Sequence, residues 1–548
     1  MSPLALTPQP DPRPSRIWLY LILWIAWLAP GLVGHDPWKP DEAYIFGVVH
    51  EMGENGDWIV PRLAGEPFLE NPPFYYIIAA FFAKLFAPWL EPHDGARLAS
   101  GLFMGLTLLF LGLAGRELYG RSYGWVAAMA LVGCVGLLVR AHQIITEVAA
   151  LSGLAAAFYG VALALRRPYI AGPLIGTGAG VAFLANGVVP LAIAITTALV
   201  LPVLFAAWRT RAYLLALIFA GLLLTPWIAI WPHALYQHSS ALFERWLWHY
   251  AIGELLGSAA ETNRWYYLGI LPWYAWPVLP MALWVLWYEG RPGLSKPGIQ
   301  LPLTAFAVTL GLLSAAAELQ ELRALPLLLP LSLLAAASVD SLKRGAAAAL
   351  DWFGIMTFGV FAALMWVGWI ALVTGRPAAI VRELADIQPE LPANFGWGAF
   401  ALSLVTSLLW LALVSRIGRS NRRALINWAG GITLIWILAM SLWLPFIETT
   451  KSYRATFVSL RQAIPQDYDC IASRGLGDSQ RALLKYFSGI VTRRLETEPA
   501  AECILVLVQG RAAQPAPLPP GKWQTIWEGS RPGDKTERYR LFEREHSQ

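Results

Sequence analysis

Charged residues are scarce in this 548-residue chain: Asp, Glu, Lys and Arg make up 14% of it, whereas 57% is hydrophobic and 27 residues are Trp. Soluble globular domains carry about 25% charged residues, so the composition excludes that class and predicts a membrane protein. We assign the formal net charge of +5 to basic loops on one membrane face, and expect no nucleic-acid partner.

Cysteine is nearly absent, with three residues in the chain. Cys134 lies in an apolar run, whereas Cys470 and Cys503 lie in a more polar C-terminal part. If that part is exported, it reaches an oxidising compartment in which a Cys470–Cys503 bridge can form. Two free thiols in strands are the alternative.

Long apolar runs make up much of the sequence. A transmembrane helix needs about 20 mainly apolar residues, because its backbone polar groups must be satisfied within the helix. Such runs predict about thirteen spans. They lie near residues 17–33, 97–115, 124–139, 147–165, 169–185, 188–207, 212–231, 268–288, 300–317, 324–339, 352–374, 396–415 and 426–445.

Basic residues fall in every second loop between these runs. Because short cytoplasmic loops collect Lys and Arg, this alternation puts the N-terminus and the basic loops inside. The first run lacks a small-residue cleavage pattern, so we expect it to stay as an anchor. The long loops 34–96 and 232–264 and the C-terminal part then lie outside, and loops of such length usually carry function.

The composition changes near Glu448, where charge rises and the apolar runs shorten. CIASRGL (470–476) and CILVLV (503–508) have the pattern of buried strands, and SQRALLKYFSGIV (479–491) has that of a helix. KWQTIWEG (522–529) and RYRLFERE (538–545) have the pattern of terminal strands. We therefore expect a transmembrane domain at 1–447 and a soluble domain at 448–548. The predicted fold class is an α-helical polytopic membrane protein with a small C-terminal α/β domain.

Two carboxylates, Asp41 and Glu42, follow the first apolar run closely. Charge at membrane depth costs at least ~2.5 kcal/mol, so it seldom lies there without a role. One interpretation gives Asp41 a chemical role. The other makes Asp41 the cap of a helix at 42–52, since Asp is a common helix start.

The same loop contains PDEAY (40–44), GDW (56–58), PR (61–62) and ENPPFYY (70–76). This pattern resembles the first periplasmic loop of the aminoarabinose transferase/protein O-mannosyltransferase superfamily of GT-C integral-membrane glycosyltransferases. RLAS (97–100) and WYYLGILPWYAWP (265–277) resemble that superfamily too, as do the span count and the small C-terminal domain. The resemblance covers nearly the whole chain.

The resemblance implies an inverting transfer of a sugar from polyprenyl (undecaprenyl) phosphate to an acceptor at the periplasmic face of a bacterial inner membrane. The sugar would be 4-amino-4-deoxy-L-arabinose and the acceptor lipid A. A protein or glycan O-glycosyltransferase using another sugar is one alternative, and a lipid-linked sugar transporter or flippase is another. Nearly charge-free spans with polar groups at one face favour an enzyme over a permeation path. The expected partners are the donor, the acceptor and membrane lipids.

Candidate site residues combine the resemblance with side-chain chemistry. The family's first-loop Asp matches Asp41, a candidate base, and the other acidic candidates are Glu42 and Glu147. Guanidinium groups suit the donor phosphate because they stay charged and bidentate. The phosphate-binding candidates are Arg62, Arg140, Arg264 and Arg323, and the substrate-lining candidates are Tyr44, Glu70, Asn71, Tyr75 and Trp273. The alternatives are snorkelling for each Arg and compensation of a helix dipole for Glu147.

A divalent metal ion is a further expectation. Glu70 and His249 would supply a carboxylate and an imidazole, both of which such ions accept. Their spacing has no metal signature, and the alternative for His249 is a surface or hydrogen-bonded residue.

The chain departs from the family pattern at two positions. Aminoarabinose transferases have Lys between the acidic residue and the prolines, and again in a Thr-Lys-Gly segment at a span junction. This chain has Asn71 and Asn186 there. Either the arginines compensate for the two missing cations or the substrates differ.

Overall fold

The computed structural model describes residues 17–545, except 257–263, 317–318, 389–394, 417, 419, 499–501, 512–517 and 535. The predicted cytoplasmic tail before Ile17 lies outside the described residues. The first part of the chain is helical, with a two-residue-per-strand hairpin, β1 (Arg62–Leu63) and β2 (Glu66–Pro67). Its helices are α1 (Ile17–Leu28), α2 (Asp41–Asn55), α3 (Phe74–Phe86), α4 (Pro92–Tyr119), α5 (Gly124–Val132), α6 (Thr146–Ala164), α7 (Pro168–Asn186), α8 (Val188–Leu204), α9 (Arg211–His238), α10 (Ser240–Arg245), α11 (Gly253–Leu256), α12 (Tyr266–Tyr274), α13 (Val278–Gly293), α14 (Pro297–Ala315), α15 (Leu325–Ser338), α16 (Arg344–Thr374), α17 (Ala378–Ile387), α18 (Trp397–Arg416), α19 (Asn421–Ser441) and α20 (Leu444–Lys451).

Nine helical segments in the described part of the chain are long and apolar enough to cross a membrane. They are α4, α6, α7, α9, α14, α16, α18, α19 and the segment Leu322–Ser341 around α15. Two bent pairs, Arg121–Val132 with Val135–His142 (68°) and α12 with α13 (102°), raise the count to at most 11. The other two predicted spans coincide with α1 and α8, which have 12 and 17 residues. The polytopic helical class is confirmed, and the number thirteen stays a prediction.

Glycines let α6 and α7 approach closely. A Cβ added to Gly153 would lie 2.5 Å from the Gly178 carbonyl oxygen, and one added to Gly178 would lie 2.5 Å from the Gly153 carbonyl oxygen. Small residues allow this backbone approach between membrane helices. The two helices are antiparallel, so their packing brings Glu147, in the first turn of α6, beside Asn186, the last residue of α7.

The outer loop at 34–96 is folded. The helix predicted at 42–52 is confirmed: α2 begins at Asp41 and ends before the left-handed Gly56. The β1–β2 hairpin follows, and its turn places Ala64 and Gly65 at positive φ. The predicted second outer loop, 232–264, is largely helical where it is described, since α9 continues to His238 and a π-helical turn, Trp246–Ile252, connects α10 to α11.

A buried ion pair between Glu42 and Arg97 anchors the first loop. Glu42 Oε1 lies 2.7 Å from Arg97 Nε, and both side chains are fully buried. The remaining donors and acceptors of the pair bond to Asp94, Leu32, His35, Trp38 and Ile144. These partners come from both ends of the loop and from the chain before α6. The network therefore fixes α2 at the residue that follows Asp41.

The C-terminal part forms the expected small domain around a five-stranded sheet with strand order β4-β3-β5-β7-β6. Its elements are α21 (Arg454–Ala463), β3 (Ile471–Arg474), α22 (Asp478–Ser488), β4 (Arg493–Arg494), β5 (Leu505–Arg511), β6 (Trp523–Gly529) and β7 (Glu537–Arg544). The predicted strands coincide with β3, β5, β6 and β7, and the predicted helix with α22. β3 is parallel to β4 and β5, and the other pairs are antiparallel. A disulfide joins Cys470 to Cys503, so the alternative of two free thiols is wrong.

The C-terminal domain docks on the first loop through α22 and α2. The helices touch at Gly47, where an added Cβ would lie 2.5 Å from the Cβ of Ala482. Beside this contact, Lys485 Nζ lies 2.9 Å from the Glu51 carboxylate, which is almost fully buried. The helix that begins with Asp41 is thus also the platform for the C-terminal domain.

A second contact between the loop and the C-terminal part involves Asp36 and Glu448. Arg454 Nε donates to Asp36 Oδ1 at 3.1 Å. Glu448 accepts the backbone N–H of Asp36 at 3.0 Å and the indole N–H of Trp38 at 2.9 Å. Burial raises the pKa of Glu448 to about 7, because the ionised form loses its solvation.

We expect Arg97→Met to destabilise the protein strongly, because it leaves the Glu42 and Asp94 carboxylates buried without their cation. Removing one partner of a buried pair costs about 3–5 kcal/mol. Thermal unfolding in detergent measures the loss. The matched control is Arg116→Met, an exposed residue of the same helix, which should change stability by less than ~0.5 kcal/mol. Equal melting temperatures for both variants would contradict the anchoring role.

Glu448 should make stability depend on pH. Its folded-state pKa of about 7 lies above the unfolded value of 4.5, so folding takes up a proton between these values. Stability contributed by the protonated group is fully present below pH 4.5 and is lost as the pH rises through 7. Glu448→Gln, which cannot ionise, should match the wild type at acidic pH and exceed it by ~1–3 kcal/mol in mildly alkaline buffer. Unfolding measured across that range checks this, and a pH-independent difference would contradict it.

Candidate active site

A cavity of about 530 Å³ lies where one end of the helical bundle meets the C-terminal domain. Its lining comes from the first loop, the π-helical turn and α11, the chain before α15, and α22. The lining residues are Asp41, Tyr44, Phe68, Glu70, Asn71, His249, Tyr250, Gly253, Glu254, Gln320, Arg323 and Asp478. The structure thus brings together six residues that the sequence predicted: Asp41, Tyr44, Glu70, Asn71, His249 and Arg323.

Asp41 is the first residue of α2 and does not cap the helix. Pro40 occupies the capping position, and no side chain makes a capping hydrogen bond there. The Asp41 carboxylate instead accepts from Arg140 Nη1 at 3.0 Å, and the same nitrogen lies 3.1 Å from the side-chain oxygen of Gln143. The capping interpretation is therefore wrong. Arg140 orients the Asp41 carboxylate at the cavity.

Glu147 is joined to the cavity lining by two amides. Asn186 Nδ2 lies 3.2 Å from Glu147 Oε1, 3.0 Å from Thr146 Oγ1 and 3.2 Å from Asn71 Oδ1. Asn71 itself lines the cavity. The two positions at which the chain departs from the family pattern therefore touch each other, and one of them, Asn186, contacts Glu147.

Tyr44 lies among three of the candidate carboxylates. Burial raises the pKa of its phenol, and the negative charges of Glu70, Glu147 and Asp41 raise it further. Charges act on a pKa in this way only from nearby. Tyr44 is thus a neutral hydrogen-bonding group at physiological pH, and Asp41 and Glu147 belong to one cluster.

Arg323 brings positive charge to the lining. It lies in the 3-10 turn Leu322–Ala324 just before α15, and its guanidinium pairs with the Glu254 carboxylate of α11. The side chains of Arg323 and Arg140 are 15% and 22% exposed, so salt screens their fields less than it would on an open surface. Two mostly buried guanidinium groups therefore act on the same cluster of carboxylates.

Glu42 and Tyr75 lie away from the lining, inside the protein. Glu42 is held in the buried network with Arg97. Tyr75 is fully buried, and its hydroxyl lies 2.7 Å from Ser100 Oγ. Both residues contribute to the buried contacts of the first loop and do not face the cavity. The sequence alone does not distinguish Glu42 from Asp41, since both are candidate catalytic carboxylates there.

Three more predicted residues lie outside the lining. Arg62 is on β1, where Nη1 donates to the Gly65 carbonyl at 3.3 Å. Trp273 is 48% exposed on α12. Arg264 is exposed and follows the undescribed residues 257–263. Their assigned roles in binding the donor phosphate or the substrate stay predictions.

Sequence reasoning missed Glu254, Gln320 and Asp478 among the lining residues. Glu254 carries a weak signal, because it is an acidic residue in the second long outer loop. The sequence contains no signal for Asp478, because this residue lies in the predicted C-terminal domain and Asp41 lies in the transmembrane domain. Only the docking of α22 on α2 brings it to the cavity.

The fit of a metal ion depends on Glu70 and His249, which both line the cavity. Within the residues that the structure describes, no three His, Cys, Asp or Glu side chains gather as a metal site. The predicted pair alone supplies two ligands, fewer than a divalent ion takes from a protein-built site.

No family model matches the chain. Among curated proteins, it is 28% identical over 370 residues to an undecaprenyl phosphate-alpha-4-amino-4-deoxy-L-arabinose arabinosyl transferase of Pseudomonas savastanoi pv. phaseolicola, and the alignment covers 64% of this chain and 65% of that protein, just under two thirds of its length. The protein of the same name from Pseudomonas aeruginosa is 27% identical over 407 residues, with 70% of each chain covered.

The fold is similar to that of solved structures. The crystal structure of ArnT from Cupriavidus metallidurans bound to undecaprenyl phosphate superposes with a TM-score of 0.67 at 15% identity, covering 96% of this chain and 98% of that one. The apo structure of the same protein gives a TM-score of 0.65. The resemblance seen in the first loop is therefore confirmed: the chain is similar in sequence to aminoarabinose transferases, and it has the fold of the solved ArnT.

Proposed function

We propose that this chain is an inverting glycosyltransferase that moves a sugar from a polyprenyl phosphate donor to an acceptor at the face of a bacterial inner membrane. The observation that carries the proposal is the cavity at which Asp41, Glu70 and Arg323 meet. A base and a group that stabilises a departing phosphate are what this transfer requires. The names of the curated relatives and of the superposed ArnT support the same enzyme class and donor.

Asp41 acts as the base in this proposal. As the acceptor oxygen attacks the anomeric carbon of the sugar, its proton passes to the Asp41 carboxylate. Arg140, 3.0 Å from Asp41 Oδ2, holds that carboxylate in one orientation. A fixed base avoids reorganisation during the reaction, which is how positioned groups lower barriers.

Arg323 receives the leaving group. When the bond between the anomeric carbon and the phosphate oxygen breaks, the phosphate keeps the electron pair and needs a cationic partner. A guanidinium can bind it through two parallel hydrogen bonds. Arg323 pairs with Glu254 in the structure, so donor binding would exchange this carboxylate for the phosphate.

The proposed sugar is 4-amino-4-deoxy-L-arabinose, which the names of the relatives contain. Its ammonium group would be complemented by the carboxylates around Tyr44, namely Glu70 and Glu147. Lipid A is the proposed acceptor. The second candidate, a protein or glycan O-glycosyltransferase with another sugar, is favoured by the uncharged pair Asn71 and Asn186, where the resembling family has cations.

A transporter of lipid-linked sugars fits the structure less well. Transporter sites lie near the bilayer midplane, commonly at interrupted helices. The polar cluster here lies at helix ends: Glu147 is the second residue of α6, Asn186 is the last of α7, and Arg323 precedes α15. This position supports chemistry at the membrane edge.

A divalent metal at Glu70 and His249 is retained only as a proposal, and no reaction step is assigned to it. Glu70 and His249 would supply two ligands, and a bound ion would take further ligands from the donor phosphate or from water. When bound, it would add positive charge near the leaving group.

We place the N-terminus and the basic loops in the cytoplasm, and the cavity and the C-terminal domain in the periplasm. In support, Arg166 pairs with Glu117 at 2.9 Å, near the end of α6 that is remote from Glu147. The basic loop that contains Arg166 and the candidate site thus lie at opposite ends of α6. The Cys470–Cys503 disulfide also suits an oxidising compartment.

Asp41→Asn should abolish turnover while the protein stays folded, because the amide cannot take the acceptor proton. We expect kcat to fall by about 10²–10⁴. Purified protein given a labelled polyprenyl-phosphate sugar and lipid A measures the transfer, and melting temperature reports folding. Asp386→Asn, an exposed aspartate of α17, is the matched control and should keep full activity. Wild-type turnover in Asp41→Asn would remove Asp41 as the base.

A further inference from the structure

A second cavity, of about 520 Å³, lies at the end of the bundle remote from the candidate site. The candidate site is near the start of α6, whereas the second cavity contains Arg166, two residues beyond the end of that helix. The same holds for α15, since Arg323 precedes this helix and Asp340, which lines the second cavity, follows it. The two cavities therefore belong to opposite faces of the bundle.

Close contacts between helices build the walls of the second cavity. The hydroxyl of Tyr119, the last residue of α4, donates to the carbonyl of Gly298 in α14 at 2.8 Å. A Cβ added to Gly298 would lie 2.9 Å from the Tyr119 ring. On another wall, the indole of the buried Trp208 donates to Gln300 Oε1 at 2.7 Å. The cavity is therefore part of the packed fold.

Two ion pairs line this cavity. Arg166 Nη1 lies 2.9 Å from Glu117 Oε1, and Lys296 Nζ lies 2.6 Å from Glu289 Oε2. In each pair the carboxylate is the more buried partner: the Glu117 and Glu289 side chains are 20% and 25% exposed, and those of Arg166 and Lys296 are 72% and 58% exposed. The negative charges are thus set into the wall, and the positive charges face the solvent.

A third carboxylate of the lining, Asp340, already has a cation. Arg422 Nη2 lies 2.6 Å from Asp340 Oδ2, and the Tyr123 hydroxyl donates to the same oxygen at 2.8 Å. The other charges of the described lining are the two carboxylates and two cations of the ion pairs, which cancel. A ligand that complements them carries one positive and one negative group and is neutral overall.

The two ion pairs can open for such a ligand. Arg166 and Lys296 are mostly exposed, and exposed pairs contribute little because water and salt screen them. Exchanging one internal partner for a ligand charge therefore costs little. Guanidinium and ammonium groups also have several donors each, so that either cation can bind a ligand oxygen while it keeps its carboxylate.

The position of the cavity favours a lipid over a soluble ligand. Trp208, Tyr119, Tyr123 and Tyr288 contribute aromatic side chains to the lining, at the ends of helices that are long and apolar enough to cross a membrane. Trp and Tyr are enriched at the membrane–water interface, at the level of the lipid headgroups. Basic pockets between the ends of membrane helices bind such headgroups.

We propose that this cavity binds the headgroup of a zwitterionic phospholipid with a primary ammonium group. In such a lipid the ammonium is terminal, and the phosphate lies between it and the acyl chains. Head-first entry therefore brings the ammonium to the buried Glu117 and Glu289, and leaves the phosphate at Arg166 and Lys296. The order of charges from the wall to the solvent matches their order along the headgroup. This inference does not depend on the proposed sugar transfer.

The test uses native mass spectrometry of the purified full-length protein with three lipids that have identical acyl chains. Phosphatidylethanolamine has both charges and N–H donors, phosphatidylcholine has both charges but no N–H donor, and phosphatidylglycerol has only the negative charge. We expect phosphatidylethanolamine to bind more tightly than either of the others by about tenfold or more, the effect of one hydrogen bond to a charged group.

Variants distinguish the two halves of the site. Glu117→Gln/Glu289→Gln should remove the advantage of phosphatidylethanolamine over phosphatidylcholine, because the ammonium loses its acceptors. Lys296→Gln should weaken all three lipids by about tenfold, since each has a phosphate, and should keep their ratios. The matched controls are Glu383→Gln and Arg344→Gln, at exposed residues outside the lining, which should change nothing. Melting temperatures report folding, and the exposed Lys296 keeps the test open if the double variant does not fold.

Three results would overturn the inference. One is equal binding of phosphatidylethanolamine and phosphatidylglycerol by the wild type. Another is a preference for phosphatidylethanolamine over phosphatidylcholine that survives in Glu117→Gln/Glu289→Gln, or lipid binding that Lys296→Gln leaves unchanged. The third concerns the source of the headgroup: soluble glycerophosphoethanolamine at the same concentration should displace little lipid because it has no acyl chains, and complete displacement would make the ligand a soluble zwitterion.

Discussion

The buried pair of Glu42 and Arg97 is the interaction on which the candidate site depends. Two charges removed from water are tolerated only when their remaining donors and acceptors are satisfied, and here both ends of the first loop supply the partners. Since Glu42 follows Asp41 directly, the pair sets where α2 begins. The position of α2 in turn decides where α22 docks and where Asp478 lies.

The cavity itself is assembled from helix ends. Glu147 is the second residue of α6, Asn186 ends α7, Arg323 precedes α15, and Asp41 and Asp478 start α2 and α22. Helix ends carry backbone groups without partners in the helix, so polar side chains gather there at less cost than within a span. The carboxylates and guanidinium groups of the candidate site therefore gather at a single rim of the bundle.

Much of this arrangement is readable from the sequence because it is local. Apolar runs, the α2 segment and the strands of the C-terminal domain follow from periodicity and composition. The different fates of Asp41 and Glu42 do not, because adjacent residues of a helix point about 100° apart and the sequence does not show which side is buried. The contact of Asn71 with Asn186 and the arrival of Asp478 depend on packing between distant segments, which leaves no mark on either segment alone.

The hydrogen bond from Ser479 to Pro40 joins residues 439 positions apart. All nine helical segments that are long and apolar enough to cross a membrane in the described part of the chain lie between them. A ribosome must therefore complete almost the whole polypeptide before α22 can pack beside Asp41. Intermediates of biosynthesis would therefore present Asp41 without the cavity wall that α22 supplies, and the cavity would be complete only after the C-terminal domain has folded against α2.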